Sequence, residues 1–251
     1  MLDTKKYLER IKYMRSKSPN LDNLKLIHKY HLYNIPFENL SIHKSREIIL
    51  DHDELQKKIL DSNRGGYCYE LNGMFYLLLK ELGYNVKIIS ARVNNGKGGW
   101  GEEFDHLAMI VELDELWIAD VGFGDNFIEP IRFEPDLVQK NLNGFYKIEK
   151  HDDEYFKLMK SFDGKEYSDE YIFTLKERTW NEFEAMNKYH QTSPDSHFTK
   201  NKVCTIAKEN GRVTMTNDKL IFTEGDKKET VEIKDENEFN EKLFEYFGIK
   251  I

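Results

Sequence analysis

The sequence is poor in cysteine and proline and has no long apolar run. Of its 251 residues, two are cysteine and five are proline. Two cysteines, Cys68 and Cys204, exclude a disulfide scaffold and a four-cysteine zinc site. The longest strongly apolar run, MFYLLL at 74–79, is far short of the roughly 20 residues a membrane helix needs. The opening MLDTKKYLER lacks the basic-then-apolar pattern of a secretory leader. A soluble, cytoplasmic protein with no membrane partner is therefore expected. Basic excess is missing too. The 37 Lys+Arg against 45 Asp+Glu give a net charge of −8, the wrong sign for wholesale nucleic-acid binding. What is present is core material: 39% hydrophobic and 13% aromatic residues, too rich for a disordered chain. That suits one large domain or two to three small ones.

The first 85 residues or so read as helical. Leu8, Ile11 and Met14 recur at helical spacing behind an Asp3 or Thr4 cap. Leu24, Ile27 and His31 mark a second helix that Pro36 should stop. A short third helix fits 52–60. Leu71, Phe75, Leu78, Leu79 and Leu82 predict a strong helix over 68–82, closed by Gly83. Beyond Tyr84 the period changes. Segments 84–93, 105–113 and 116–123 read as strands, with a glycine-rich hairpin loop at 94–104. Further strands are expected at 143–150, 154–161 and 168–174, then a helix at 176–188. A strand meander follows from about 200, with a turn at Asn210-Gly211. A last helix should start near Asp235, face Phe239, Leu243 and Tyr246 inward, and end at Gly248. Helices and strands are segregated, which is the mark of an α+β fold.

Cys68 sits in SNRGGYCYELNG, after two glycines and at the start of a helix pattern. A helix N-terminus offers unpaired amides and partial positive charge, both of which favour a thiolate nucleophile. The glycines would let a substrate carbonyl approach backbone amides. A small buried core thiol is the competing reading, and it is the better one for Cys204 in its alternating strand KVCTIAK. A nucleophilic cysteine needs a base. His28, His31, His43, His52, His190 and His197 lie in unremarkable helical or polar contexts, whereas His106 opens the strand DHLAMIV directly after a glycine-rich loop. Asp120 ends the apolar strand LWIAD, so its carboxylate should be buried and in need of a partner. A tight turn at Asp114-Glu115 makes the two strands antiparallel neighbours. Residue 106 then falls opposite about residue 122, which sets His106 beside Asp120. These three residues offer no second histidine or close-spaced ligand pair, so no metal is expected.

RGGYCYELN, DHLAMIV and ADVGFG, together with the earlier HLYNIPFENLSI at 31–42, resemble the arylamine N-acetyltransferase family in order and spacing. The resemblance implies a three-part α+β fold around a cysteine-peptidase-like Cys-His-Asp core. Its parts would be an N-terminal helical bundle at 1–84 carrying the nucleophile, a central β-barrel at 85–190 carrying the histidine and aspartate, and a C-terminal α/β lid at 191–251. It implies Cys68 as the acetyl-accepting nucleophile, His106 as its base and Asp120 as the residue orienting that base. Phe37, Val93 and Phe123 would border the acetyl-cysteine. Acetyl-coenzyme A would be the co-substrate, and arylamines, hydrazines or arylhydroxylamines the acceptors, as in xenobiotic metabolism. An amide synthase, or another cysteine-dependent acyltransferase or hydrolase, would use the same three residues. A papain-like peptidase fits less well, because the flanks of its cysteine are absent.

Further expectations follow from these residues once the resemblance is granted. At rest a thiolate at Cys68 would face an imidazolium at His106. The Cys68 N–H is a candidate oxyanion donor, with a second expected from 102–105. Arg64 should pair with Glu38 or Glu70 and hold the nucleophile loop. Lys97 with its neighbouring glycines, and Gly124, are the candidate contacts for an anionic coenzyme on an acidic protein.

Overall fold

A computed structural model describes residues 2–225 and 227–251. Helix α1 (Thr4–Arg10) begins where the Asp3 carboxylate caps the Lys6 amide. It ends earlier than the spacing of Leu8, Ile11 and Met14 suggested. Lys12 turns left-handed (φ +60°), the Tyr13 amide folds back to Leu8, and Met14 is 86% exposed. Helix α2 (Leu21–Asn34) is capped by Asn20 and stops at Ile35, which is extended as a residue before proline must be. A two-residue strand β1 (Phe37–Glu38) and the short helices α3 (Leu40–His43) and α4 (His52–Gln56) follow. A π-helical turn at Lys57–Asp61 then leads to the long helix α5 (Cys68–Glu81). Helix α5 is buried on almost every side, as the central helix of a bundle must be. Gly83 (φ +86°) ends it.

The chain then enters its larger sheet. Its strands are β2 (Asn85–Val93), β3 (His106–Glu112), β4 (Leu116–Ala119), β5 (Ile131–Arg132), β6 (Gln139–Asn141), β7 (Gly144–Lys150), β8 (Phe156–Ser161) and β9 (Ser168–Phe173). They pair in the order β5-β4-β3-β2-β9-β8-β7-β6, all antiparallel. Alternation splits the buried faces: Leu107, Met109 and Val111 pack on the helical core, while Ala108 and Ile110 face the sheet's own interior with Tyr146, Tyr171 and Phe173. The two sheet edges nearly meet. Side-chain amides close the seam in place of a backbone ladder: Gln139 bonds both the N–H and C=O of Arg132, and Asn141 takes the amides of Ile128 and Glu129. The sheet is thus an almost closed barrel.

The expected 176–188 helix starts later, because the Arg178 amide is used by the Ile88 carbonyl. One 3₁₀ turn at Trp180–Phe183 precedes α6 (Glu184–Thr192), and α7 (His197–Lys200) follows. The second sheet comprises β10 (Cys204–Lys208), β11 (Gly211–Met215), β12 (Lys219–Glu224) and β13 (Lys227–Glu232). One of its two outer strands is β1, from the N-terminal part, with Phe37 opposite Thr205. Helix α8 (Glu236–Phe247) is capped by Asp235 and ended by left-handed Gly248. It covers this sheet with Phe239, Leu243 and Phe247, and Tyr246 is only half-buried. The α+β architecture of bundle, barrel and α/β lid is the one observed.

The hairpin after β10 sits one residue away from its expected place. Its turn is Glu209-Asn210, and Gly211 pairs with Lys208 as the first residue of β11. Gly211 is needed for a different reason. Its φ is +151°, and a Cβ there would lie 1.8 Å from the Thr223 carbonyl oxygen. Gly211→Ala should therefore destabilise the protein by about 2 kcal/mol or more, read as a lowered midpoint in thermal or urea unfolding. An unchanged midpoint would contradict this packing.

Candidate active site

Cys68 is the first residue of α5 and is buried. The loop before it is held by a buried charge cluster. Arg64 donates from Nε and Nη2 to Glu38 Oε1 (3.0 and 2.7 Å), so Glu38, and not Glu70, is its partner. Glu70 instead takes Lys58 Nζ on both oxygens (2.7 and 2.9 Å) and caps the Tyr67 amide. The two glycines serve this loop rather than a ligand. A Cβ on Gly65 would lie 2.0 Å from the Pro36 oxygen, one on Gly66 would strike Glu70, and the Gly66 amide already meets Pro36.

His106 opens β3 and Asp120 follows β4. The observed register, Met109 opposite Ala119, puts 106 opposite 122 by extension. His106 Nε2 and Asp120 Oδ2 are 2.8 Å apart, and both residues are buried. The pairing leaves Nδ1 as the other ring nitrogen. Burial alone would raise the Asp120 carboxyl. The His106 contact outweighs it, aided by bonds from Asn72 Nδ2 (2.9 Å) and the Gly122 amide (3.0 Å), and holds the group below the usual carboxylate range. Asn72 also donates to the Leu107 carbonyl and accepts the Val121 amide. It lies one helical turn after Cys68, on the same face of α5. Gly122 completes the contact, for a Cβ there would lie 2.8 Å from the Cys68 carbonyl oxygen. Tyr69 ties the helix of Cys68 to the turn before His106. Its hydroxyl donates to the carbonyls of Phe104, a left-handed residue (φ +67°), and Asp105.

Cys68 and His106 line one cleft of about 1520 Å³, with Phe37, Val93, Phe123 and Gly124 among its walls. Asp120 sits behind His106, and Phe123 meets the imidazole edge-on at 5.2 Å. Burial pushes the Cys68 thiol up, the Asp105 carboxylate adds to this, and the neighbouring Tyr69 amide opposes it only in part. Two sequence expectations meet a different geometry. Within 102–105, the Phe104 and Asp105 amides are already bonded to Ser90 and Glu102, so neither is free to meet an oxyanion. Lys97 does not line the cleft. Its amide closes a turn on Asn95, and the cations on the cleft wall are Lys208, Arg212 and Lys228 from the second sheet. Arg212 is partnered by Asp125. Sequence reading also passed over Asn72, whose spacing of four from Cys68 was the available signal, and His28, whose Nε2 accepts the Asp120 amide.

A profile of the N-acetyltransferase family matches residues 20–251. The arylamine N-acetyltransferase of Escherichia coli is 35% identical over 214 residues, covering 84% of this chain and 75% of that protein. An arylamine N-acetyltransferase from Bacillus cereus, described with a Cys-His-Glu catalytic triad, superimposes with a TM-score of 0.91 at 28% identity and covers 100% of both chains. The Mycobacterium marinum arylamine N-acetyltransferase in complex with coenzyme A gives a TM-score of 0.90 at 26% identity, over 98% of this chain and 93% of that one. Proansamycin X synthase of Amycolatopsis mediterranei is 27% identical over 248 residues, 95% of this chain and 94% of that protein. Fold and relatives together define an acyltransferase. The chain belongs to the arylamine N-acetyltransferase family.

The Arg64–Glu38 pair yields a stability prediction. Arg64→Ala takes from the buried Glu38 carboxylate its nearest counter-charge, leaving the Leu40 amide and Lys58 at 3.9 Å, and should cost about 3 kcal/mol, seen as a lower melting temperature. Loss of activity with unchanged melting would instead give Arg64 a chemical role.

Proposed function

We propose that this protein moves an acetyl group from acetyl-coenzyme A to the nitrogen of arylamines, arylhydrazines or arylhydroxylamines through an acetyl-cysteine at Cys68. The observation that carries the reading is the 2.8 Å His106–Asp120 pair on the cleft that also holds Cys68. The Cys-His-Glu triad of the Bacillus cereus relative supports it. His106 Nδ1 takes the thiol proton as the sulfur attacks the thioester carbonyl. The imidazolium so formed is stabilised by Asp120 and returns the proton to the departing coenzyme A sulfur. An acceptor amine then attacks the acetyl-cysteine. His106 removes the amine proton as the new C–N bond forms, and Cys68 is released. The Cys68 N–H, in the first turn of α5, is the oxyanion donor in this scheme.

Phe37, Val93 and Phe123 form the apolar slot for an aromatic acceptor. Gly124 offers backbone approach to the coenzyme, and Lys208 and Lys228 supply positive charge on the same wall, whereas Lys97 reaches the coenzyme only if its loop moves. The coenzyme A complex of the Mycobacterium marinum relative supports this substrate. We assign the three parts to 1–84, 85–190 and 191–251, with β1 as the strand the first lends to the third, and place the enzyme in cytoplasmic xenobiotic metabolism. A second reading, amide synthesis with the same three residues, draws on the likeness to proansamycin X synthase.

The test is intact mass after mixing with acetyl-coenzyme A alone. One acetyl adduct is expected on the wild type and none on Cys68→Ser. Aniline or hydrazine should then discharge it. Absence of the adduct on the wild type sinks the proposal, and discharge only by an internal amine favours the second reading. His106→Gln should slow adduct formation by about 10²-fold or more.

A further inference from the structure

His28 lies wholly buried on α2, away from the cleft wall, with Phe75 edge-on and Phe127 stacked at 5.7 Å each. Both of its ring nitrogens are engaged, and both by the same loop. Nε2 accepts the Asp120 amide at 3.1 Å, and Nδ1–H donates to the Ile128 carbonyl at 2.8 Å. These partners fix the neutral Nδ1–H tautomer, because an N–H must donate and a C=O must accept. Residues 120 to 128 are the two ends of the loop that carries Asp120, Gly122 against Cys68, and the cleft residues Phe123 and Gly124.

We propose that His28 is a positioning residue for acetyl transfer: one neutral imidazole clamps both ends of the 120–128 loop and so sets the Asp120 carboxylate against His106. This rests on the triad reading above. The clamp is specific in direction. A second proton would turn Nε2 into a donor facing the Asp120 N–H, and the contact would become repulsive. Burial holds the group at about 4, against the pull of the Ile128 carbonyl, Asp120 and Glu129. Glu129 is itself paired with Lys29 at 3.2 Å, and His31, one turn along α2, is also kept neutral by burial. The sign follows from a folded value below the ordinary one near 6.5. The clamp's stability is complete above about pH 6.5 and falls as the pH drops towards 4, where the unfolded chain takes up the proton more readily.

Two substitutions separate the two ends. In His28→Gln the terminal amide reaches the Nε2 position and can accept from Asp120. In His28→Asn the shorter amide reaches only the Nδ1 position, serves Ile128 and leaves the Asp120 N–H bare. Acetylation of Cys68 by acetyl-coenzyme A is timed by rapid quench and intact mass, across pH 5–9, beside thermal melts at each pH. His28→Asn should acetylate about tenfold more slowly, with the pH midpoint of the rate moved downward because the His106 imidazolium is less well stabilised. His28→Gln should stay within about threefold of wild type. Its melting temperature should fall less than that of wild type between pH 6.5 and 4.5, with His31 contributing equally to both. If folded His28→Asn keeps the wild-type rate and pH midpoint, the inference fails. If His28→Asn does not fold, a His28→Gln variant that is tenfold slow, or that keeps the wild-type acid loss, overturns it. Wild type that gains no acetyl group would overturn the triad reading instead, so the two failures are distinguishable.

Discussion

The buried carboxylate of Asp120 is the constraint on which the rest of the site depends. A charge at 1% exposure is stable only if its oxygens are fully bonded. His106, Asn72 and the Gly122 amide meet that need. Each comes from a different element: the head of β3, the helix α5 that carries Cys68, and the loop after β4. Satisfying one charge therefore fixes three elements relative to one another. The cysteine is carried along, because Asn72 and Cys68 share a face of α5 and Gly122 fits against the Cys68 backbone.

A second buried charge cluster does for the loop what Asp120 does for the sheet. Glu38 and Glu70 lie under the loop before Cys68 with Arg64 and Lys58 as counter-charges. Because Glu38 belongs to β1, this cluster also anchors an outer strand of the second sheet. The cleft is thus walled by all three parts of the chain, and none of them forms it alone. The net charge of −8 does not describe the cleft, where Lys208, Arg212 and Lys228 share the wall with Asp125, Glu209 and Glu224.

The cysteine environment bears on mechanism. A helix N-terminus alone favours thiolate. Burial and the Asp105 carboxylate push the Cys68 thiol up, and the Tyr69 amide offsets only part of this. In the proposed scheme His106 handles that proton, and this is why the setting of Asp120 matters.

Local sequence determined the elements and much of the proposed triad. The spacing of Leu71, Phe75, Leu78 and Leu82 specified α5, Gly83 its end, and Asp235 with Gly248 the limits of α8, because capping and periodicity act within one or two turns. The tight turn after β3 made the His106–Asp120 contact legible by counting, since antiparallel register is set by the turn. Tertiary structure decided what counting cannot reach. Arg64 could meet Glu38 or Glu70, and the choice depended on where Lys58 came to lie. The glycines before Cys68 looked like room for a ligand and proved to be room for Pro36 and Glu70. Asn72 and His28 gave little local sign of their roles, because each bonds backbone groups 35 to 100 residues away. Whether the sulfur rests as thiol or thiolate also lay beyond the sequence, for it is set by desolvation and by charges that only the folded chain brings near.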